Sequence, residues 1–191
     1  MKQLRPYQTA ALEATRSQLR QYPSTVVVLP TGCGKTVYAA KLISEWEQGN
    51  CLFLAHTKDL IEQAADKLGS ELGFRPAVEM NVQSADPHTL WQGGFVVVGS
   101  VQSMYSDRRL EKYNKHPFGL IVVDEAHHST ASTYKKVIGY FQAINPNIKV
   151  VGITATPNRS DGTALGLMFE SVAYQMSISD AVGQGWLAPV V

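Results

Sequence analysis

Short apolar runs alternate with longer mixed stretches along most of this chain. Continuous runs rich in Val, Ile and Leu predict buried strands at 25–30, 51–56, 95–100, 120–125 and 149–156, with a weaker strand at 77–82. Helical spacing of apolar residues predicts helices over 35–48, from Thr57 to about Glu71, and near 131–142. Buried strands that alternate with helices are typical of a parallel sheet covered on both faces. We therefore expect an α/β fold with a mostly parallel sheet.

Unusual polar clusters follow directly after five of the predicted strands. They occupy 30–36, 56–63, 99–104, 124–128 and 154–162. In parallel α/β sheets, ligands bind beyond the carboxyl ends of the strands. We therefore expect the five clusters to meet at one edge of the sheet and to form the functional site.

Length, charge and cysteine content limit the class of protein but do not identify its partner. The chain has 191 residues, an ordinary length for one domain, and a net charge of +1. This charge neither favours nor excludes nucleic acid, because a local basic patch is invisible in the sum. No apolar run approaches the ~20 residues of a membrane span, so we expect no membrane partner. Two cysteines, no metal-ligand spacing and no signal-peptide pattern predict an intracellular, cytoplasmic protein with reduced thiols.

The letters PTGCGKT follow the first predicted strand and precede a helical pattern. A helix N-terminus presents unpaired N–H groups that favour phosphate, and Gly32 and Gly34 let the backbone approach it closely. Lys35 would reach the β- and γ-phosphates of a nucleotide, and Thr36 would hold Mg²⁺. The strict phosphate-loop pattern has Gly where this chain has Leu29. The alternative is a glycine-rich turn with an incidental lysine.

A second cluster, VVDEAHH, places two carboxylates and two histidines at a strand end. Asp124 would hold Mg²⁺ through water, and Glu125 would orient or deprotonate an attacking water. The alternative is a solvated acidic turn that caps the next helix. His127 and His128 suggest a metal site, which we disfavour because no further ligands stand at a suitable spacing.

The motifs PTGCGKT, DEAH and TATP, in this order, resemble motifs I, II and III of superfamily 2 helicases and translocases of the DEAH/DExH type. LRPYQ (4–8) resembles the adenine-recognising segment of these proteins, AHTKDLIEQ (55–63) resembles motif Ia, and GSVQSM (99–104) resembles motif Ib. LRPYQ, DEAHHS and TATPNRSDG resemble most the branch that contains restriction motor subunits, the repair helicase RadD and XPB-like repair helicases. The resemblance implies a RecA-like P-loop NTPase fold, with ATP and Mg²⁺ as cofactors.

The resemblance also implies roles for individual positions in the nucleotide site. Gln8, with Arg5, would recognise adenine, since an amide can pair with an adenine edge; the alternative is a surface helix residue. The triphosphate would be bound by Thr31, Gly32, Cys33, Gly34, Lys35 and Thr36, and Mg²⁺ by Thr36 and Asp124. The catalytic residues would be Lys35, Asp124, Glu125 and His127. We further expect alkylation of Cys33 to abolish nucleotide binding.

Two more sets of residues follow from the resemblance. His127, Thr154 and Thr156 would link the nucleotide site to the nucleic-acid site, although ordinary strand threonines remain an alternative. Nucleic acid would be contacted by His56, Thr57, Lys58, Ser100, Val101 and Gln102, with plain helix caps and loop polar residues as the alternative. The basic stretch that holds Arg109 and Lys112 favours a solvated helix face over a tracking surface.

Family members carry a second RecA-like domain that supplies an arginine finger, and we expect that domain to lie outside this chain. Residues 1–191 would form one domain, with an adenine-recognition segment at about 1–22, a core at 23–180 and the start of a linker at 181–191. An arginine finger can be worth ~10³–10⁵ in rate, so we expect this chain to bind ATP–Mg²⁺ but to hydrolyse it slowly. We favour DNA over RNA as the partner, although phosphate contacts do not distinguish them.

Two other classes of function stay open at this point. One is a P-loop phosphotransferase that acts on a small molecule, and the other is a non-catalytic nucleotide-binding module that regulates a partner protein. DEAH and TATP weigh against the first, and the presence of both Lys35 and Glu125 weighs against the second.

Overall fold

The structure is a computed structural model that describes residues 3–56, 58–86, 95–129, 132–155, 165–166 and 168–188. Its centre is a seven-stranded sheet in the order β3-β4-β2-β5-β6-β1-β7, in which every neighbouring pair is parallel. The strands are β1 (Ser24–Val28), β2 (Asn50–Ala55), β3 (Ala77–Glu79), β4 (Val96–Ser100), β5 (Phe118–Asp124), β6 (Lys149–Thr154) and β7 (Ser171–Gln175). The predicted α/β fold with a parallel sheet is confirmed.

Helices cover both faces of this sheet. They are α1 (Pro6–Gln21), α2 (Lys35–Ser44), α3 (Lys58–Leu72), α4 (Val101–Met104), α5 (Asp107–Glu111), α6 (Ser132–Ile144) and α7 (Ile178–Gly183), with a 3₁₀ turn at Ala126–His128. One apolar cluster joins the sheet to α1, α2, α3 and α7, and a second joins the opposite face to α4, α5 and α6. Each central strand is therefore buried on both sides, which explains its continuous apolar sequence. Among the described residues, we find no helix with the length and apolarity to cross a bilayer.

The strand register brings the polar clusters to one edge of the sheet. Val28 at the end of β1 pairs with Thr154 of β6, and Asp124 at the end of β5 pairs with Ile153. Ala55 of β2 pairs with Ser100 of β4. Residues 124–128 come at the end of β5. The strand order places them between the phosphate loop on one side and the ends of β2 and β4 on the other. The predicted meeting of these clusters at one edge is confirmed for the described residues.

Several predicted boundaries are wrong for local reasons. Helix α2 ends at Ser44 and not at 48, because the chain turns there: Trp46 N donates to Ile43 O at 3.1 Å and its side chain packs against the core. Strand β3 stops at Glu79 and not at 82, because Met80 and Gln83 exchange two backbone hydrogen bonds across a tight turn. Such a turn withdraws these residues from the sheet ladder.

The elements that the sequence pattern did not predict include a long helix, α1, and an edge strand, β7. Helix α1 contains the adenine-recognition segment and buries one face on the sheet, but its mean hydropathy is low. Strand β7 lies at the sheet edge beside β1, and its residues are mostly partly exposed rather than fully buried. Neither segment has the continuous apolar run that marks the central strands.

Candidate nucleotide and nucleic-acid site

The loop between β1 and α2 has the backbone of a phosphate cradle. Gly32 and Gly34 adopt left-handed conformations with φ of 86° and 70°. Gly34 is also the N-cap of α2, and no side chain caps the helix at this position. Uncapped N–H groups at a helix N-terminus form a site for an anion. The strand end is fixed to its neighbour, because Leu29 N donates to Thr154 O at 2.9 Å.

The start of α1 clamps this loop from one side. The Gln8 amide donates through Nε2 to Cys33 O at 3.1 Å and to Gly34 O at 3.2 Å, while its Oε1 accepts from Arg5 N at 2.9 Å. Tyr7 donates its hydroxyl to the same Cys33 carbonyl at 2.9 Å. Gln8 is only 3% exposed, so it is not a surface helix residue. In this structure its amide fixes the loop, and adenine recognition by Gln8 stays a prediction.

Cys33 lies inside the cradle, but its thiol does not face the ligand. The residue is fully buried in the apolar cluster beneath the loop. Burial limits the access of an alkylating reagent to the sulfur in the folded protein, and loss of nucleotide binding on alkylation of Cys33 stays a prediction. The backbone of Cys33 is bonded within the protein, since its N–H donates to Pro30 O at 3.1 Å and its carbonyl accepts from Tyr7 and Gln8.

The carboxylates predicted to be catalytic follow β5 and lie beside the loop. Lys35 Nζ lies 3.4 Å from Glu125 Oε1. Glu125 follows the end of β5 with φ 47° and ψ 55°, a left-handed conformation that is rare outside glycine. Its N–H donates to Asp124 Oδ1 at 3.0 Å. Burial raises the pKa of the Asp124 carboxyl above its ordinary value, and the neighbouring charge of Glu125 raises this pKa further. A cation at Asp124 would relieve both effects, so the site fits Mg²⁺.

His127 connects the carboxylates to the end of β6. Its Nδ1 lies 3.1 Å from Thr154 Oγ1 and 3.5 Å from Glu125 Oε2. Thr154 is fully buried at the strand end. The structure thus brings together three of the residues predicted for catalysis and coupling. Thr156 lies outside the described residues.

A series of rings leads from His127 toward the residues predicted to contact nucleic acid. The ring centres of His127 and His128 are 4.1 Å apart. The ring of His128 stacks on that of His56, with 5.2 Å between the ring centres and an interplanar angle of 25°. His56 Nδ1 lies 3.2 Å from Gln102 Nε2, and Ser100 Oγ donates to Gln102 Oε1 at 2.9 Å. We call His127, His128 and His56 the histidine series. Sequence reasoning gave His128 no role.

The other predicted contact residues differ in their exposure. Ser100 Oγ accepts from Ser103 N at 3.3 Å, so Ser100 serves as the N-cap of α4. Val101 is fully buried, so its side chain cannot reach nucleic acid and only its backbone remains available. Thr57 lies outside the described residues, and the side chain of Lys58 is not described either. Gln102 and His56 are exposed at the edge.

Two side chains of the basic stretch, Arg109 and Lys112, pair with a buried carboxylate and do not form a free helix face. Arg109 Nη1 lies 3.2 Å from a carboxylate oxygen of Glu79, and Lys112 pairs with the same carboxylate. Glu79 is fully buried and also accepts from the Tyr113 hydroxyl at 2.7 Å. The solvated-face interpretation is therefore wrong for Arg109 and Lys112.

The segment after α7 also reaches the phosphate loop, which sequence reasoning missed. A Cβ atom placed on Gly32 would lie 3.1 Å from Leu187 Cδ2. The ring of Trp186 meets that of Tyr7 edge-on at 5.3 Å, and the Arg5 guanidinium lies 5.6 Å from the centre of the Trp186 ring. No motif marks this segment, so only the fold reveals the contact.

Comparison with known families supports the resemblance. The family described as "Type III restriction enzyme, res subunit" matches residues 1–159. The putative ATP-dependent helicase IRC3 of Saccharomyces cerevisiae is 33% identical over 196 residues, which cover 96% of this chain and 28% of the relative. The DNA 3'-5' translocase XPB2 of Sulfurisphaera tokodaii is 29% identical, with 95% of this chain and 38% of the relative covered. The chain thus spans less than two fifths of these relatives.

Solved structures agree on the fold. The Type ISP restriction-modification enzyme LlaGI, solved with a DNA substrate mimic, superposes with a TM-score of 0.71 at 21% identity. The match covers 97% of this chain and 21% of that one. At this identity the likeness shows the fold alone, which is the parallel α/β fold described above.

Proposed function

Because this chain belongs to the family of type III restriction enzyme res subunits, we propose that it binds and hydrolyses ATP to drive a helicase or translocase acting on DNA. The observation that carries this proposal is the distance of 3.4 Å between Lys35 Nζ, at the start of α2, and Oε1 of Glu125, which directly follows β5. These two groups pair directly in this structure; a bound nucleotide would draw Lys35 to the γ-phosphate and leave Glu125 to the attacking water.

Nucleotide binding would use the cradle and the carboxylates together. Lys35 and the N–H groups at the start of α2 would hold the phosphates, while Thr36 and Asp124 would hold Mg²⁺. Bound Mg²⁺ would neutralise charge that develops on the phosphate oxygens. Among the described residues, His, Cys, Asp and Glu form no cluster of three that could hold a metal. The remaining ligands would therefore be phosphate and water oxygens, as Mg²⁺ commonly prefers.

In this proposal, Glu125 would act on the attacking water. One carboxylate oxygen lies near Lys35 and the other lies 3.5 Å from His127 Nδ1, so both ends are oriented. A base held in this way can accept the proton of a water directed at the γ-phosphate.

Nucleic acid would bind at the ends of β2 and β4, where His56, Ser100 and Gln102 lie. Polar side chains and helix N-termini contact phosphates without reading base sequence, as a motor requires. The relative XPB2 is named a DNA translocase and LlaGI was solved with a DNA substrate mimic, which supports DNA as the partner. We extend this proposal to a second RecA-like domain, because the relatives are much longer than the region matched here.

The test is ATP turnover by this chain, alone and with single-stranded DNA, duplex DNA or RNA. We expect slow turnover, because an arginine finger supplied by a second domain can contribute ~10³–10⁵ in rate. Glu125→Gln should bind ATP but lose turnover by about 10²–10⁴-fold, and Lys35→Ala should lose ATP binding. Lys41→Ala is the matched control, since Lys41 forms only a surface pair with Glu45. Failure of the chain to bind ATP, or equal binding by Lys35→Ala, would overturn the proposal.

A further inference from the structure

A tight turn follows β3 at the same edge of the sheet as the residues predicted to contact nucleic acid. Glu79, the last residue of β3, pairs with Gly99 of β4, which directly precedes Ser100. The strand order β3-β4-β2 therefore puts this turn beside Ser100, on the side away from His56 at the end of β2. We call residues 80–83 the β3 turn. It continues the row of strand ends at which nucleic acid is proposed to bind.

Hydrogen bonds hold the β3 turn on both sides of its tip. Met80 and Gln83 exchange two backbone hydrogen bonds, at 3.1 and 2.8 Å. Asn81 N donates to Ser103 Oγ of α4 at 3.1 Å. The Arg109 guanidinium of α5 donates to the carbonyls of Asn81 and Gln83. The position of the tip is therefore set by α4, the helix that follows β4, and by α5.

The side chain at the tip of the β3 turn is apolar and stands in solvent. Val82 is 97% exposed, whereas the other exposed large apolar side chains of the described residues range from 36% to 57%. Such a valine adds nothing to the stability of the fold, because hydrophobic stabilisation comes from apolar area removed from water. A single exposed apolar residue is ordinary on a protein surface. The hydrogen-bonded turn around Val82 and the cation beside it distinguish this one.

An unpaired cation lies beside Val82. Arg108 and Val82 line the same open cleft of about 770 Å³, which Glu111 also lines. Arg108 is exposed and forms no ion pair with any described residue, whereas its neighbours Arg109 and Lys112 pair with a buried carboxylate. A free guanidinium next to an apolar tip matches the two surfaces of an unpaired DNA strand, which are its phosphates and its base faces.

We propose that the β3 turn is a second contact for single-stranded DNA, at which Arg108 binds a phosphate and Val82 packs on an unstacked base. This inference deepens the proposed function and rests on it. Bases in a duplex are stacked and present only their edges in the grooves, so a fixed apolar tip meets a base face only where the strand is single. The strand would run from His56 past Gln102 to the turn, along the ends of β2, β4 and β3. Neither contact reads base sequence, as a motor requires.

The experiment measures the affinity of this chain for oligothymidylates of about 4 to 16 nucleotides, the range of lengths that single-strand-binding folds cover. Affinity should rise with length until the strand reaches the β3 turn. Val82→Ser should leave the shortest bound oligonucleotide unaffected and weaken the longer ones by about 3-fold, as expected when part of the burial of one valine is lost. Arg108→Ala should weaken the same longer oligonucleotides. It should also reduce the slope of log affinity against log salt by about 0.7, the contribution of one phosphate on a single strand. Val82→Ser should leave that slope unchanged.

Two matched variants serve as controls. Val172→Ser changes an exposed valine of β7, at the opposite end of the sheet, and Arg20→Ala changes an exposed arginine of α1. Both should bind every length as the original chain does. Because Val82 and Arg108 are exposed, their substitutions should leave the melting temperature unchanged.

The possible failures are distinguishable. A chain that binds no oligonucleotide of any length would overturn the proposed function itself. Equal weakening of short and long oligonucleotides by Val82→Ser or Arg108→Ala would show that the β3 turn is not a separate contact. Such a result, or unchanged affinity at every length in either variant, would overturn the inference and leave the proposed function in place.

Discussion

Glu125 positions its carboxylate through a left-handed backbone conformation that few residues other than glycine adopt. Its φ of 47° belongs to the left-handed region, where a residue other than glycine costs of the order of 1–3 kcal/mol. The contacts with Lys35, His127 and Asp124 surround it and maintain this conformation. The strain directs the carboxylate to the phosphate loop, so it serves the site and not the stability of the fold.

Asp124 should destabilise the nucleotide-free protein at neutral pH. Its pKa is raised in the folded state, so the folded protein binds this proton more tightly than the unfolded chain does. The ionised carboxylate therefore reduces stability above its folded pKa, and this penalty disappears as the pH falls toward the ordinary carboxyl range. Asp124→Asn should raise the melting temperature at pH 7 and lose that advantage near pH 4.

The measurement is thermal unfolding of both chains without nucleotide or Mg²⁺. Asp66→Asn is the matched control, because Asp66 is a surface carboxylate paired with Arg75. That control should not raise the melting temperature. A lower melting temperature for Asp124→Asn at pH 7 would contradict the assignment of burial as the main effect at this carboxyl.

At the scale of elements, strand β6 leaves room for the turn at Ala126–His128, because Gly152 has no side chain where that turn packs. A Cβ atom on Gly152 would lie 2.5 Å from Phe169 Cζ and 2.8 Å from Ala126 Cβ. Ala126 directly follows Glu125, so pressure on it would displace the carboxylate. Gly152→Ala should therefore cost about 1–3 kcal/mol of unfolding free energy and lower ATP turnover as well.

The check is urea unfolding together with turnover. Gly139→Ala is the matched control, since Gly139 lies in α6 and a Cβ atom there meets nothing within 4 Å. Alanine should raise helix stability at this position by up to about 1 kcal/mol. A Gly152→Ala chain as stable and active as the original would show that Ala126 does not transmit the change.

Sequence pattern predicted the elements that are buried on both sides. The central strands are continuous apolar runs because helices cover both of their faces, and each was found within a few residues. Strand β7 was missed because it is a partly exposed edge strand with a short, mixed sequence. The sequence predicted the end of α2 four residues too late. The helical spacing of apolar residues continues through Trp46, although the chain already turns inward there.

At the scale of the whole molecule, the histidine series joins the two halves of the functional edge. It runs from Glu125 through His127 and His128 to His56, which lies beside Gln102. His128 contacts a ring on each side, so removing it should interrupt this series. His128→Ala should leave the separate affinities for ATP and single-stranded DNA within about 2-fold. The factor by which ATP changes DNA affinity should fall toward one.

This factor is measured by DNA-binding anisotropy with and without Mg-ATP. His116→Ala is the matched control, because the His116 ring meets Phe95 edge-on, with the ring centres 6.5 Å apart, away from this edge. An unchanged factor in His128→Ala would show that the coupling between the sites takes another route.

The candidate site was predictable where a motif fixes both the residue and its neighbours. Lys35, Asp124, Glu125 and His127 follow strand ends, and a parallel sheet must bring strand ends together. Trp186, His128 and the true partners of Gln8 were not predictable, because their contacts join segments that are distant in the chain or depend on ring orientation. The burial of the Val101 side chain was not predictable either, since a motif position says nothing about which way the side chain points.

The left-handed backbone at Glu125 has a consequence for directed evolution. Glycine at this position would release the strain, and asparagine, which tolerates the left-handed region better than glutamate, would release part of it. Both changes remove the base of the proposed reaction. A library of this chain selected only for heat resistance should therefore accumulate inactive variants at position 125, and a screen for robust versions needs a turnover assay at every round.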